Sequence, residues 1–180
     1  MQEGETESKT RFNPGFYSAA AVLSAAVGAP VEFSDAYKRS HLPKPVVLAT
    51  GASKVPIVPH VLALQIFMIG DLALAAIPGE FTTMAGRRLI HKLEESLGLQ
   101  DIALVGYAND YSQYIVTYEE YQAQHYEGAS TLFGPYTLDA YLDAFGKLAK
   151  TCLEEGAKLI KRQQVLSGLR RRPVRCIALL

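Results

Sequence analysis

The pattern of apolar and polar positions is sharpest between residues 60 and 110. LQIFMI (64–69) and LALAAI (72–77) are apolar runs separated only by Gly70 and Asp71. A two-residue connection with glycine first predicts a hairpin closed by a type II′ turn. Runs that are apolar on both faces predict that the hairpin is buried in a sheet. IPGEFTTMAGRRLIHKLEESLG then passes from strand to helix. Thr82 or Thr83 suits the N-cap, Ala85, Leu89, Leu93 and Leu97 recur every four positions, and Gly98 supplies the stop. IALVGYA (102–108) predicts a further buried strand. Thr137 to Arg162 predicts a long amphipathic helix with Leu138, Tyr141, Leu142, Phe145, Leu148 and Cys152 on one face. Upstream, Phe16 to Val27 reads as a short buried helix and Pro43 to Thr50 as a buried strand, followed by a Pro- and Gly-punctuated loop. Strands alternating with helices predict an α/β fold: a mixed β-sheet with packed helices, in which 64–69, 72–77 and 102–107 are neighbouring strands.

One segment breaks this regularity. GYANDYSQYIVTYEEYQAQHYEGAST (106–131) places tyrosines at 107, 111, 114, 118, 121 and 126, with His125 beside the last. The spacing fits neither a helix nor a strand throughout. Gly106, Asn109, Asp110 and Gly128 favour turns, whereas Ile115 to Tyr118 is β-branched and aromatic and favours a strand. Packing accounts for some of these phenols; the remainder call for chemistry.

Composition narrows the classes. At 180 residues the chain is one domain's worth, 49% hydrophobic and 20% charged, with 18 basic and 18 acidic residues, so nothing points to nucleic acid. The balance is uneven along the chain. Residues 163–180 hold Arg170, Arg171, Arg172 and Arg175 and no acid, which leaves 14 basic against 18 acidic residues in 1–162. The first twelve residues are polar, a disordered or detached lead-in without the apolar core of a signal peptide, so localisation stays unassigned. The longest apolar stretch, Val61 to Ile77, is interrupted by Gln65, Gly70 and Asp71 and falls short of the about 20 residues that span a bilayer. Cys152 and Cys176 cannot make a metal site on their own, and Cys152 reads as a core residue.

Two strand-end loops are where functional groups are expected in such a sheet: Pro78 to Thr82, and Gly106 to Tyr114. Glu80, just before a helix N-terminus, suits capping, and equally metal binding or general base chemistry. IPGEFTTMAGRRL together with GYANDYSQYIVTYEEYQAQHYEGASTLFGPYTLDAY resembles the neutral (neutral/alkaline, non-lysosomal) ceramidases, the zinc-dependent amidases that split ceramide into sphingosine and fatty acid. The resemblance runs from about Asn13 to about Lys150. It implies the second, C-terminal half of a catalytic domain over 13–162, with 1–12 as lead-in and 163–180 as an atypical basic tail.

The resemblance also implies roles. Glu80 in PGEFTTMAGRR matches a zinc-binding glutamate, Tyr114 in YSQY a zinc-binding tyrosine, and Tyr126 in HYEGAS an active-site tyrosine that faces the substrate amide. Tyr107, Tyr111, Tyr118, Tyr121 and Tyr136 are left to packing. The implied cofactor is Zn2+, and the implied substrate is ceramide or another N-acyl sphingoid base. The family's two zinc histidines and catalytic serine are expected from a missing N-terminal half-domain, because none of His41, His60, His91 and His125 matches them. The chain alone is therefore expected to be inactive. The alternative is a non-catalytic truncated remnant or interaction module. The tail reads as an accidental terminus, with contact to an anionic membrane surface as its other reading; family members are typically secreted or membrane-associated.

Overall fold

The computed structural model describes Ala26 and residues 33–44, 58–59, 61–165 and 174–179, with side chains up to Glu155. All of the helix expected over 16–27 except Ala26, which is helical, and nearly all of the strand expected over 43–50 lie outside these residues. The two described members of that strand, Pro43 and Lys44, belong to a turn. The chain divides into two compact units: residues 1–60 with 111–138, and residues 61–110 with 139–180.

The second unit is built on a four-stranded sheet. Strands β1 (Ala63–Ile69) and β2 (Leu72–Ala76) form the expected antiparallel hairpin, with Ile69 opposite Leu72. Gly70 has φ +63° while Asp71 keeps a negative φ. Left-handed backbone at the first turn position alone is what a type II′ turn requires, and glycine adopts it without steric cost. After β2 come a short extended piece, β3 (Glu80–Phe81), and helix α2 (Thr83–Leu97), which follows α1 of the other unit. Strand β4 (Asp101–Val105) then returns parallel to β2, Leu72 opposite Asp101 and Ala76 opposite Val105. A crossover through a helix is how two sequential strands come to lie parallel. The sheet order is β4-β2-β1-β6, where β6 is Val174–Leu179.

Helix α2 follows its sequence closely. The Thr82 hydroxyl accepts from the Ala85 amide at 3.3 Å, Gly98 closes the other end at φ +67°, and Ala85, Leu89, Leu93 and Leu97 are buried. The long helix, here numbered α5 (Thr137–Val165), buries Leu138, Tyr141, Phe145, Leu148, Ala149 and Cys152. Tyr141 meets Phe81 edge-on, ring centroids 5.5 Å apart. Gly146 brings α5 so near α2 that a Cβ there would lie 3.0 Å from the Lys92 side chain.

One expectation fails. The run 102–107 is not a buried strand: β4 alternates exposed and half-buried positions, and Val105 is 44% exposed. Among the described residues it is an edge strand paired only with β2, so its apolar composition does not translate into burial on both faces. The 163–180 tail contributes a strand to the sheet. Six residues of it pair antiparallel with β1, Ala63 opposite Leu179 through Met68 opposite Val174. The β1 edge is thereby covered, and Leu64, Gln65 and Ile66 are buried as in a central strand.

In the first unit, α1 (Asp35–Ser40) is capped by the Ser34 side chain. A two-residue strand β5 (Tyr114–Ile115) leads into α3 (Tyr118–Ala123) and α4 (Tyr126–Ala129).

The buried stripe of α2 sets a stability test. Leu89 and Leu93 are fully enclosed, so Leu93→Ala leaves a cavity and should cost about 2–5 kcal/mol in urea denaturation. Substitution of exposed Arg87 by Ala should change stability by less than about 0.5 kcal/mol.

Candidate functional site

On the second unit, parallel pairing sends β2 and β4 out of the sheet at the same end. Beyond it the backbone remains tied. Ile77 N–H donates to the Val105 carbonyl at 2.9 Å, Ala108 N–H to the Ile77 carbonyl at 2.9 Å, and Tyr107 N–H to the Gly79 carbonyl at 3.2 Å. A Cβ on Gly106 would stand 3.2 Å from the Gly79 carbonyl oxygen, so a side chain there would press directly on the loop carrying Glu80. Glu80 is half-buried, two residues before the Thr82 cap, near the positive end of α2 where a carboxylate is favoured. Tyr107 and Asn109 hold left-handed backbone at φ +55° and +69°. Such residues cost on the order of 1–3 kcal/mol each and gather at functional loops.

The strained run continues on the first unit, where Gln113 has φ +67°. Next to it stands Tyr114, half-buried on β5. The sequence IVTY favoured a strand, but β5 ends at Ile115. The reason is a capping box: Thr117 accepts from the Glu120 amide at 3.2 Å, and the Glu120 carboxylate accepts from the Thr117 amide at 2.8 Å. The T-x-x-E pattern at 117–120 carried that signal. Helix α3 ends at Gln124, left-handed at φ +52°, and His125 opens α4 without a side-chain cap. Gly128 in α4 lies against α3, since a Cβ there would be 2.9 Å from the Glu120 carbonyl oxygen.

These turns bring Tyr114 and Tyr126 together. Their rings meet edge-on with centroids 5.5 Å apart and planes at 78°, and Tyr126 is 71% exposed. Glu80 belongs to the other compact unit. Tyr121 bears out the packing assignment: it is fully buried, donates its hydroxyl to the His41 carbonyl at 2.9 Å, and burial holds its phenol above the ordinary range. Tyr107, Tyr111, Tyr118 and Tyr136 do not, since each is exposed; Tyr118 and Tyr136 stack on one another at 5.6 Å.

The described histidines stay away from metal-like groupings. His41 Nδ1 contacts the Tyr37 carbonyl at 3.0 Å, His91 is exposed 3.8 Å from Glu95, and His125 is exposed. Among the described residues no group of three or more His, Cys, Asp or Glu side chains is placed to hold a metal ion. Glu80 and Tyr114 offer only oxygen donors, and two of them fill part of the three- or four-ligand protein shell of zinc.

One residue carried no signal in the sequence. The Lys44 ammonium donates to the Thr131 carbonyl and, at 3.2 Å, to the Ala129 carbonyl, and lies 5.2 Å from the Tyr121 ring centre. Burial lowers its pKa to about 8.

Residues 3–143 match a family model described as neutral/alkaline non-lysosomal ceramidase, N-terminal. The chain belongs to this family. It is 48% identical over 121 residues to neutral ceramidase B of Dictyostelium discoideum, covering 64% of this chain and 17% of that protein. Against neutral ceramidase 3 of Arabidopsis thaliana it is 50% identical over 123 residues, again 64% and 17%. The crystal structure of neutral ceramidase from Pseudomonas aeruginosa superposes with a TM-score of 0.67 at 38% identity, over 73% of this chain and 22% of that one. A ceramidase complexed with C2 gives 0.68 at 37% identity, over 73% and 21%. The chain thus spans about a sixth of the curated relatives it matches, and a mixed α/β sheet with packed helices is common ground with the solved ceramidases.

Two measurements follow from this geometry. Gly128→Ala forces a methyl group onto the α3 backbone and should destabilise the chain by about 1–3 kcal/mol in chemical denaturation. Lys44 gives a pH dependence with a definite sign. Its folded pKa of about 8 lies below the ordinary 10.5, so between these values the unfolded chain binds more protons and stability rises with pH. Above about pH 10 the trend reverses, because the Tyr121 phenol ionises less readily folded than unfolded. Thermal melts from pH 7 to 10 should show the rise in the wild type and not in Lys44→Met.

Proposed function

We propose that this chain contributes the second half of a ceramidase catalytic domain, acting on ceramide or another N-acyl sphingoid base. Family membership supports the reaction class. The observation that carries the site is the contact of Tyr126, exposed to incoming substrate, with Tyr114, at the end of a backbone run held in left-handed conformations.

In this reading Glu80 and Tyr114 are two of the ligands of a zinc ion, and the remaining ligands come from a complementary segment. The ion, when bound, supplies Lewis acidity toward the amide carbonyl. Glu80 contributes a carboxylate whose charge the start of α2 favours. Tyr114 binds as a phenolate, so metal binding at this residue releases a proton. Tyr126 donates its hydroxyl hydrogen bond to the oxygen on which negative charge develops as the amide carbon becomes tetrahedral, stabilising that charge more than the ground-state carbonyl. Its 5.5 Å edge contact with Tyr114 fixes the ring plane and so the direction of that bond. The tyrosine richness of 106–131 thereby divides in two: Tyr121 supports the loop, while Tyr114 and Tyr126 face the reaction.

The test is an assay on a fluorescent ceramide with added zinc, using the 180-residue chain alone and mixed with the matching upstream segment of a relative. Turnover is expected only in the mixture, reduced by at least about a hundredfold in Glu80→Ala and in Tyr114→Phe. Tyr126→Phe should lower kcat by about 10²–10³ while leaving KM nearly unchanged, the signature of an interaction made in the transition state. Turnover by the chain alone would overturn the half-site reading. No turnover in any mixture that forms a stable complex would favour a non-catalytic interaction module. By calorimetry the chain alone should bind zinc weakly, in keeping with two ligands.

A further inference from the structure

The most connected polar group near the tyrosine pair is on neither tyrosine. Thr131 is fully buried, and four links converge on it. Its backbone bridges to Gln113, the neighbour of Tyr114. Its amide donates to the Gly128 carbonyl at 3.3 Å, and its hydroxyl donates to the Glu127 carbonyl at 2.9 Å; both acceptors lie in α4, whose first residue is Tyr126. Its carbonyl accepts from Lys44. Lys44 also holds the Ala129 carbonyl, at the C-terminal end of α4, where a cation is favoured by the helix dipole. A four-residue helix has almost no intrinsic stability. Its orientation is set by what grips its ends.

The lysine is itself held in place. Its amide donates to the His41 carbonyl at 2.9 Å, and the same oxygen accepts from the buried Tyr121 hydroxyl at 2.9 Å. The ammonium lies against the Tyr121 ring. A rigid aromatic thus fixes the turn, the turn fixes the lysine, and the lysine fixes the carbonyls that close α4.

We propose that Lys44 is a positioning residue which, through the Ala129 and Thr131 carbonyls, locks α4 and so holds the Tyr126 ring against Tyr114. It touches neither tyrosine in this role. Its relevance to catalysis rests on the reading of Tyr126 given above, whereas the positioning itself does not. The exposed Tyr118–Tyr136 pair lies in the same unit and supplies an internal control, since the side-chain bonds and ring contact of Lys44 among the described residues go to Ala129, Thr131 and Tyr121 and to neither of these rings.

The experiment is solution NMR of the full chain, with ring-to-ring cross-peaks measured for both tyrosine pairs. In Lys44→Met, which keeps the stem and removes the donors, the Tyr114–Tyr126 cross-peaks should fall at least about threefold while those of Tyr118–Tyr136 persist. Lys44→Arg, which restores charge and donors, should recover most of the lost intensity. Retention of both pairs in Lys44→Met would overturn the proposal. Loss of both, including failure to fold, would also overturn it, by showing that Lys44 serves the whole unit. Because no metal or substrate is involved, the outcome is independent of whether Tyr126 serves amide hydrolysis; that is decided by Tyr126→Phe in the complemented assay.

Discussion

The parallel pairing of β2 with β4 is the constraint from which the second unit's chemistry follows. Two strands that run the same way leave the sheet at the same end, so the loops after them must share space. Here the sharing is enforced by backbone bonds from Tyr107 to Gly79 and from Ala108 to Ile77, and by a glycine whose missing side chain permits the approach. An antiparallel return would have sent the 106–110 loop to the opposite end of the sheet from Glu80. The helix between the strands is thus more than a connector: its capped N-terminus stands just after Glu80 and gives the carboxylate a favourable field.

The tyrosine segment shows one residue type put to different physical uses. A phenol is a large apolar ring with a polar tip. Buried, as at Tyr121, the ring fills volume and the tip anchors a turn. At Tyr114 and Tyr126 the rings brace one another while one of them stays open to solvent. At Tyr118 and Tyr136 two exposed rings cover each other. The succession of left-handed residues, short helices and one capping box gives the segment these different exposures within about twenty positions.

Much of the second unit was legible in the sequence, because local rules and tertiary structure agree there. Gly70-Asp71, the Thr82 cap, the i+4 leucines and Gly98 each lie where the pattern put them. β4 was misjudged because apolar composition says nothing about a strand's place in the sheet order; Val105 is as apolar at an edge as in the centre. β6 was missed because QQVLSGLRRRPVRCIALL offers six suitable residues after a basic stretch with no other strand cue. In the candidate site, residue identities came from a family resemblance rather than from spacing, and only the Tyr114–Tyr126 contact is now a matter of geometry. Lys44 had no visible signal at all. Its partners are main-chain carbonyls 85 and 87 positions away, and carbonyls leave no mark on sequence.

The pairing of β1 with β6 has a bearing on how the chain is made. The ladder joins Ala63 to Leu179, more than a hundred positions apart, whereas β1 meets β2 across a two-residue turn. The hairpin is therefore available early in synthesis, and β6 only after more than a hundred further residues. In the interval β1 presents an unsatisfied row of amides and carbonyls beside buried Leu64 and Ile66, the kind of edge that recruits strands from other chains. Loop closure over that span also slows the final step. The period of greatest risk for aggregation thus lies between completion of the hairpin and arrival of the six residues of β6, and a chaperone that shields strand edges would act there.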